Sequence, residues 1–200
     1  FFSKTSFGFS TKFPLKRTLY FQKHFSTLDD SLHKQINQFM VAESYVEYIE
    51  DIYKLTKSKG RFGVLSTLGS SSKLNGYPIG SVVGYTINEV GKPIMCLSDI
   101  SLHTKNIEKN DAVSICVMEE NFTTGDQQRV IFTGNMKKIE EEELIHHYKH
   151  LYIDSHEDAL WVCLKSFNVY ELEDIKDIYY IGGFTKAKRI NVNNYLQYFL

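Results

Sequence analysis

The sequence predicts a mainly β, α+β domain: a barrel-like sheet decorated by helices. Three observations predict it. Six or seven strand-like runs follow one another between residues 62 and 182. Most are joined by short polar links, a rhythm that fits a closed or nearly closed barrel. No β-α-β alternation dominates and no G-x-G-x-x-G occurs, which sets a Rossmann fold aside. At 200 residues, 42% hydrophobic and 14% aromatic, the chain can build one sizeable core with a peripheral extension.

Residues 1–28 read as an address rather than part of the fold. Lys4, Lys12, Lys16, Arg17 and Lys23 are interleaved with Phe, Ser and Thr, and the first acid is Asp29. That acid-poor, Ser-rich composition is the mark of an organelle transit peptide and predicts mitochondrial targeting, with the cytoplasm as the alternative. Phe1 opens the chain without Met, so a true N-terminus is expected upstream. No apolar run approaches the roughly 18 residues of a membrane span. Net charge is −1 overall, so residues 29–200 carry −6 once the five basic residues of the first segment are set apart. A chain of that charge is not expected to bind nucleic acid or a membrane.

The domain itself is expected to span 29–200. Its lead-in, 29–58, reads as helix, because Leu32, Ile36, Phe39, Met40, Tyr45, Ile49, Ile52 and Leu55 recur mostly at three- or four-residue steps. Lys54, Lys57 and Lys59 crowd its end, and Gly60 is placed to cap it. Phe62–Leu68 is a strand, 69–76 a polar connection, and Tyr77–Asn88 a second strand. Gly80 and Gly84 within it suggest a bulge or a close approach. Pro93–Leu97 returns the chain.

Ser98–Asn110 then opens a short helix, with Ser98 or Asp99 as the expected N-cap. Unpaired N–H groups and the helix dipole favour an anion there. Ser98, Ser101, His103, Thr104 and Lys105 add donors, so a phosphate is the expected ligand. Ala112–Met118 and Arg129–Ile139 are further strands. Glu140–Tyr152 is a helix whose acids suit its N-terminus. Ala159–Leu172 and Asp177–Gly182 complete the strands, and 191–200 is a terminal helix or strap.

Other chemistry is thinly represented. Cys96, Cys116 and Cys163 are scattered through apolar runs with no C-x-x-C, which reads as reduced core thiols. His146 and His150 share a helix face at i, i+4, a spacing able to hold a metal. With no acid or Cys completing the set at ligand spacing, the face is read as solvated and no metal site is expected. No G-x-S-x-G occurs. Lys186, Lys188 and Arg189 read as a solvated basic turn. No catalytic residue is identified.

Four segments carry a resemblance. They are Arg61–Leu68, Gly76–Val83, Leu97–Asn106 and Tyr180–Phe184, the last reading Tyr-Ile-Gly-Gly-Phe. Together with the strand order they make residues 40–198 similar to the pyridoxamine-phosphate-oxidase-like FMN-binding split barrels, in the branch of haem-utilisation and CREG-type proteins. The resemblance implies a six-stranded split barrel that forms a homodimer with FMN in the crevice between subunits. It places the flavin ring along Ser81, Val82 and Val83, and the flavin phosphate at Ser98, His103, Thr104 and Lys105. A flavin-dependent oxidoreductase of unknown substrate is the function so implied. The alternative is a non-catalytic dimeric module that binds haem or a protein partner.

The departures are specific. Ser81 stands near the arginine of the oxidases' Arg-x-x-Leu-Leu-Lys and no lysine follows, so pyridoxamine-phosphate oxidase activity is not expected. The haem-using relatives take an iron-ligating His from a C-terminal extension, whereas this chain has no His after His156. Thr185 stands where a glycine usually follows Gly-Gly-Phe.

Overall fold

The computed structural model describes residues 30–57, 62–183 and 186–200. The expected targeting segment 1–28, the Gly60 cap and Phe184–Thr185 lie outside the described residues. The chain divides into two units, Phe1–Ser44 and Tyr45–Leu200. Of the first, the described part is the opening of α1 (Asp30–Lys57). The second unit holds the sheet.

Within that second unit, the last three turns of α1 bury Ile49, Ile52 and Leu55 in the core, the three- and four-residue spacing of one helix face. The strands are β1 (Phe62–Leu68), β2 (Pro78–Gly84), β3 (Thr86–Ile87), β4 (Pro93–Ser98), β5 (Ala112–Met118), β6 (Arg129–Lys138), β7 (Phe167–Ile181) and β8 (Ala187–Ile190). Every pairing is antiparallel. The order is β2-β1-β5-β6-β7-β4-β3, with β8 added beside β7.

The two ends of that order are one piece of chain. β2 pairs with β1, β3 pairs with β4, and Tyr85 alone separates them. The segment 78–87 therefore changes neighbours at Tyr85 and joins the sheet's edges. This is a split barrel of six strand positions, with β2 and β3 sharing one and β8 standing outside. The eight segments exceed the expected six for those two reasons.

The bend has a local cause. A Cβ on Gly84 would lie 2.1 Å from Tyr152 Oη and 3.2 Å from His156 Cε1, so only glycine lets these side chains close on the strand. Gly80 has no such demand, since its nearest contact would be an ordinary 3.4 Å from Val64.

The inward residues of the strands form the main core, including Leu65, Ile115, Val117, Val130, Phe132, Leu172 and Ile178. A second cluster lies under α3 (Glu142–Ser155), where Tyr148, Tyr152 and Val162 meet Ile94, Cys96 and Val169. A buried polar link supports it. Asn88 Nδ2 donates to Glu171 Oε1 at 2.7 Å, and Tyr148 Oη donates to the same oxygen at 3.3 Å. At the C-terminus, α4 (Val192–Gln197) is capped by Asn191 and fixed by Tyr195 Oη, which donates to Gly91 O at 2.9 Å.

Three expectations need correction. Residues 159–163 form a 3₁₀ turn (Ala159–Cys163) that buries Ala159 and Val162 three residues apart, not a strand. β7 runs unbroken from Phe167 to Ile181, its polar middle accommodated by register shifts opposite Gly134 and Met136. The helix after β4, α2, covers only Leu102–Ile107, with Ser101 as N-cap in place of Ser98 or Asp99. The β4–β7 ladder delays it: Ser98 still pairs with Phe167, and the Asp99 N–H donates to Ser166 O at 2.9 Å.

Candidate functional site

The junction after β4 is built around α2. Asn106 ties the helix to β1. Its Nδ2 donates to Thr67 Oγ1 at 3.0 Å, and its Oδ1 accepts from Ser70 N at 3.0 Å and Ser70 Oγ at 2.9 Å. Ile107 enters the main core beside it. Asn168 bonds Asp99 across the start of the junction.

The five expected phosphate donors divide by exposure. Ser98, Ser101 and His103 are half-buried, Lys105 is exposed, and Thr104 is wholly buried. Thr104 Oγ1 has no hydrogen-bond partner among the described residues. Burial lowers the His103 pKa from 6.5, so the neutral ring is favoured. A helix turns about 100° per residue, so Thr104 and Lys105 point different ways. Ser98, His103 and Lys105 all reach solvent around this corner, His103 and Lys105 on opposite sides of α2, and the Thr104 hydroxyl is buried between them in sequence.

The expected ring strand lies farther along. Ser81, Val82 and Val83 pair with Leu65, Val64 and Gly63, whereas α2 is tied to Thr67 near the end of β1 and to Ser70 just beyond it. Alternation puts Ser81 and Val83 on the inner face with Leu65 and puts Val82 on the outer face. Of the three, Val82 is the side chain that a ligand outside the barrel would meet, and it is 72% exposed.

That outer face carries a feature which no linear motif marks. Val82, Val64, Cys116, Ile131 and Tyr179 stand in register across β2, β1, β5, β6 and β7. The row is apolar yet only half-buried beyond Val82, and Phe62 beside it is 58% exposed. Burial raises the Cys116 thiol pKa, keeping it a neutral member of the row. A parallel row, Gly80, Ser66, Ser114 and Thr133, is small enough to leave a hollow of about 280 Å³.

The apolar row ends at a cleft of about 790 Å³ containing Arg129, Tyr179, Ile181, Lys186 and Asp126. The Arg129 guanidinium is aimed by backbone carbonyls, donating to Gly125 O at 2.8 Å and Gln127 O at 3.2 Å. It also lies 5.7 Å from the Phe122 ring centre. Neither Arg129 nor Lys186 forms an ion pair among the described residues. Two cations against one acid suit a carboxylate or phosphate group. Sequence reading passed over Arg129 and Tyr179, and took Lys186 as part of a solvated turn. The signal available was outward alternation on adjacent strands, which requires the pairing register to become visible.

Comparison with known proteins follows the same outline. A family model described as "CREG, beta-barrel" matches residues 55–197. Over 126 residues the chain is 29% identical to HOZ, the unconventional chloroplastic heme oxygenase of Arabidopsis thaliana, covering 62% of this chain and 37% of that protein. Among solved structures, a heme binding protein from Mycobacterium smegmatis superposes with TM-score 0.60 at 23% identity, covering 68% of this chain and 55% of that one. A pyridoxinephosphate oxidase family protein from Clostridium acetobutylicum, related to general stress protein 26, gives TM-score 0.57 at 12% identity, covering 74% of this chain and 97% of that one. The chain thus spans well under two thirds of the Arabidopsis and Mycobacterium proteins.

Proposed function

The chain belongs to the CREG β-barrel family, and from that premise we propose that it is a dimeric haem-binding split barrel, with the tetrapyrrole held at the outer face of the sheet. One observation carries this reading: a half-exposed apolar row across five strands that runs into a cleft with two cations that form no ion pair among the described residues. Haem is a flat apolar ring with two carboxylates on one edge. The row fits the ring, and Arg129 and Lys186 fit the carboxylates. The Tyr179 phenol lines the same cleft and would offer an oxygen ligand to iron, a ligand type that haem proteins use. The identity to the Arabidopsis heme oxygenase supports the same direction. Bound haem would supply iron redox chemistry. The protein's part is to bind and orient it and to exclude water.

The second copy enters for a physical reason. A row as exposed as Val82 and Phe62 gains by being covered, and a twofold mate would cover it. Titrating the full chain with ferric haem, followed by the Soret band, tests the reading. Saturable one-per-chain binding that weakens in an Arg129→Gln, Lys186→Gln double variant is expected. Equal affinity in that double variant would overturn the cleft assignment.

FMN is the second reading, favoured by the corner around α2, where Ser98, His103 and Lys105 reach solvent and the buried Thr104 hydroxyl has no hydrogen-bond partner among the described residues. A flavin there would make the chain an oxidoreductase. Quenching of FMN fluorescence but not of riboflavin fluorescence would support phosphate recognition; equal response to both would reject it. The Arabidopsis relative is chloroplastic. With the basic, acid-free residues 1–28, we extend the proposal to an organelle location, mitochondrial by composition. Imaging the full chain with a C-terminal fluorescent tag tests that.

A further inference from the structure

A groove of about 470 Å³ runs along the outer side of α3, with Glu142, His146, Lys149, His150 and Cys163 among its walls. The helix supplies Glu142, His146 and His150 at successive turns, and the 3₁₀ turn that follows brings Cys163 to the same groove. The two imidazoles already meet. His146 Nε2 and His150 Nε2 are 3.1 Å apart, with ring centres at 4.3 Å. A single proton joins them, one nitrogen donating and the other accepting.

That spacing is also what a metal ion needs. Two nitrogens bound tetrahedrally at the usual zinc distance of about 2.0–2.1 Å are separated by about 3.3 Å. The pair would have to open by only a few tenths of an ångström. Among the described residues no three such groups yet converge on one point, so the imidazole pair is the preformed half. Cys163 is an exposed free thiol, whereas Cys96 is buried with its pKa pushed up to about 12. Lys149 opposes a cation in the groove, but its long stem lets the ammonium stay in water.

We propose that His146, His150 and Cys163 form a binding site for a divalent transition metal of the zinc type, with Glu142 or water as the fourth ligand. Imidazole with thiolate selects zinc-like ions over magnesium or calcium. Metal binding displaces the proton shared by the histidines and the proton of the thiol, so acidification weakens it. The site is separate from the haem or flavin reading, because the groove is walled by α3 and the 3₁₀ turn and shares no lining residue with the apolar row or the Arg129 cleft.

The test is a Zn²⁺ titration of the metal-free full chain against a chromogenic chelator, with Co²⁺ as the spectroscopic probe. One equivalent is expected to bind. Affinity should fall at least the ~10–100-fold that loss of even an outer partner costs when His146→Ala or His150→Ala is introduced. Cys163→Ser should remove the cobalt–thiolate absorption and leave weaker two-histidine binding. Zn²⁺ should slow alkylation of Cys163, read by peptide mass, in the parent chain but not in the double His variant. His147→Ala, on the neighbouring side chain paired with Glu89, should change nothing. Unchanged zinc affinity in the double His variant, or no protection of Cys163, overturns the site. All these positions are exposed, so circular dichroism should confirm that each variant folds.

Discussion

His156, the residue just after α3, donates from Nε2 to the carbonyl oxygen of Tyr85 across 2.9 Å. Tyr85 is the residue at which the chain leaves β1 for β4, so this bond ties the closure of the barrel to the end of α3 from outside the sheet. His156 also stacks on Tyr152 with ring centres 4.3 Å apart, and both press on Gly84. The bend, the glycine and the helix end are therefore one mechanical unit.

Breaking either side of that unit should loosen the barrel. Gly84→Ala drives a methyl into Tyr152 Oη and is expected to cost about 1–3 kcal/mol, the usual range for overpacking. His156→Ala removes the bond to the Tyr85 carbonyl and the ring stacked on Tyr152, and is expected to cost about the same. Denaturant midpoints of the two variants measure this. Parent-like midpoints in both would show that the closure does not depend on the contact.

The α2 anchor makes its own prediction. Asn106→Ala strands the Ser70 N–H and the Thr67 hydroxyl, and should lower stability by about 1–3 kcal/mol. Asn106→Asp keeps the acceptor for Ser70 but loses the donor to Thr67, so it should fall between parent and Ala. Thermal unfolding ranks the three, and any other order would refute the division of roles.

Thr104→Val separates stability from binding. The buried hydroxyl has no partner among the described residues, so an isosteric methyl should leave stability unchanged or raise it by up to about 1–3 kcal/mol. The same change, and Lys105→Ala, should weaken FMN if the phosphate reaches this corner. Flavin titration of both variants gives the answer, and undiminished affinity would remove the phosphate from α2.

The outer face predicts its own assembly. Val82→Glu is a surface change in one chain, so monomer stability should shift by no more than about 0.5 kcal/mol. In a dimer sealed by the apolar row it buries two charges and should yield monomers by analytical ultracentrifugation. A parent chain already monomeric at high concentration would rule out the sealed face.

Acid sensitivity follows from His103. Burial lowers its pKa below 6.5, so between the two values the unfolded chain holds a proton that the folded chain lacks. This stability is complete above 6.5 and declines as pH falls through the folded value. Melting temperature against pH should therefore drop less steeply on the acid side in His103→Gln. Superimposable profiles would contradict the assignment.

Some of this was written in the linear order of side chains. The α1 stripe gave Ile49, Ile52 and Leu55 to the core because helix period and burial are local properties. β1, β2, β4, β5 and β6 were legible for the same reason, as was membership of a split-barrel family. The break at Tyr85 was not, since it comes from Tyr152 and His156 arriving from far along the chain. Nor was the shift of the helix cap to Ser101, which the Ser98–Phe167 pair imposes. The apolar row and the Arg129–Lys186 cleft were hidden too: each strand contributes one residue, and only the register adds them into a surface. Sequence by itself determined which segments alternate and which turn, because those patterns are set by neighbours three or four residues away. Tertiary structure alone decided which side chains share a face, because that depends on pairing between segments as distant in sequence as Ile94 and Glu171.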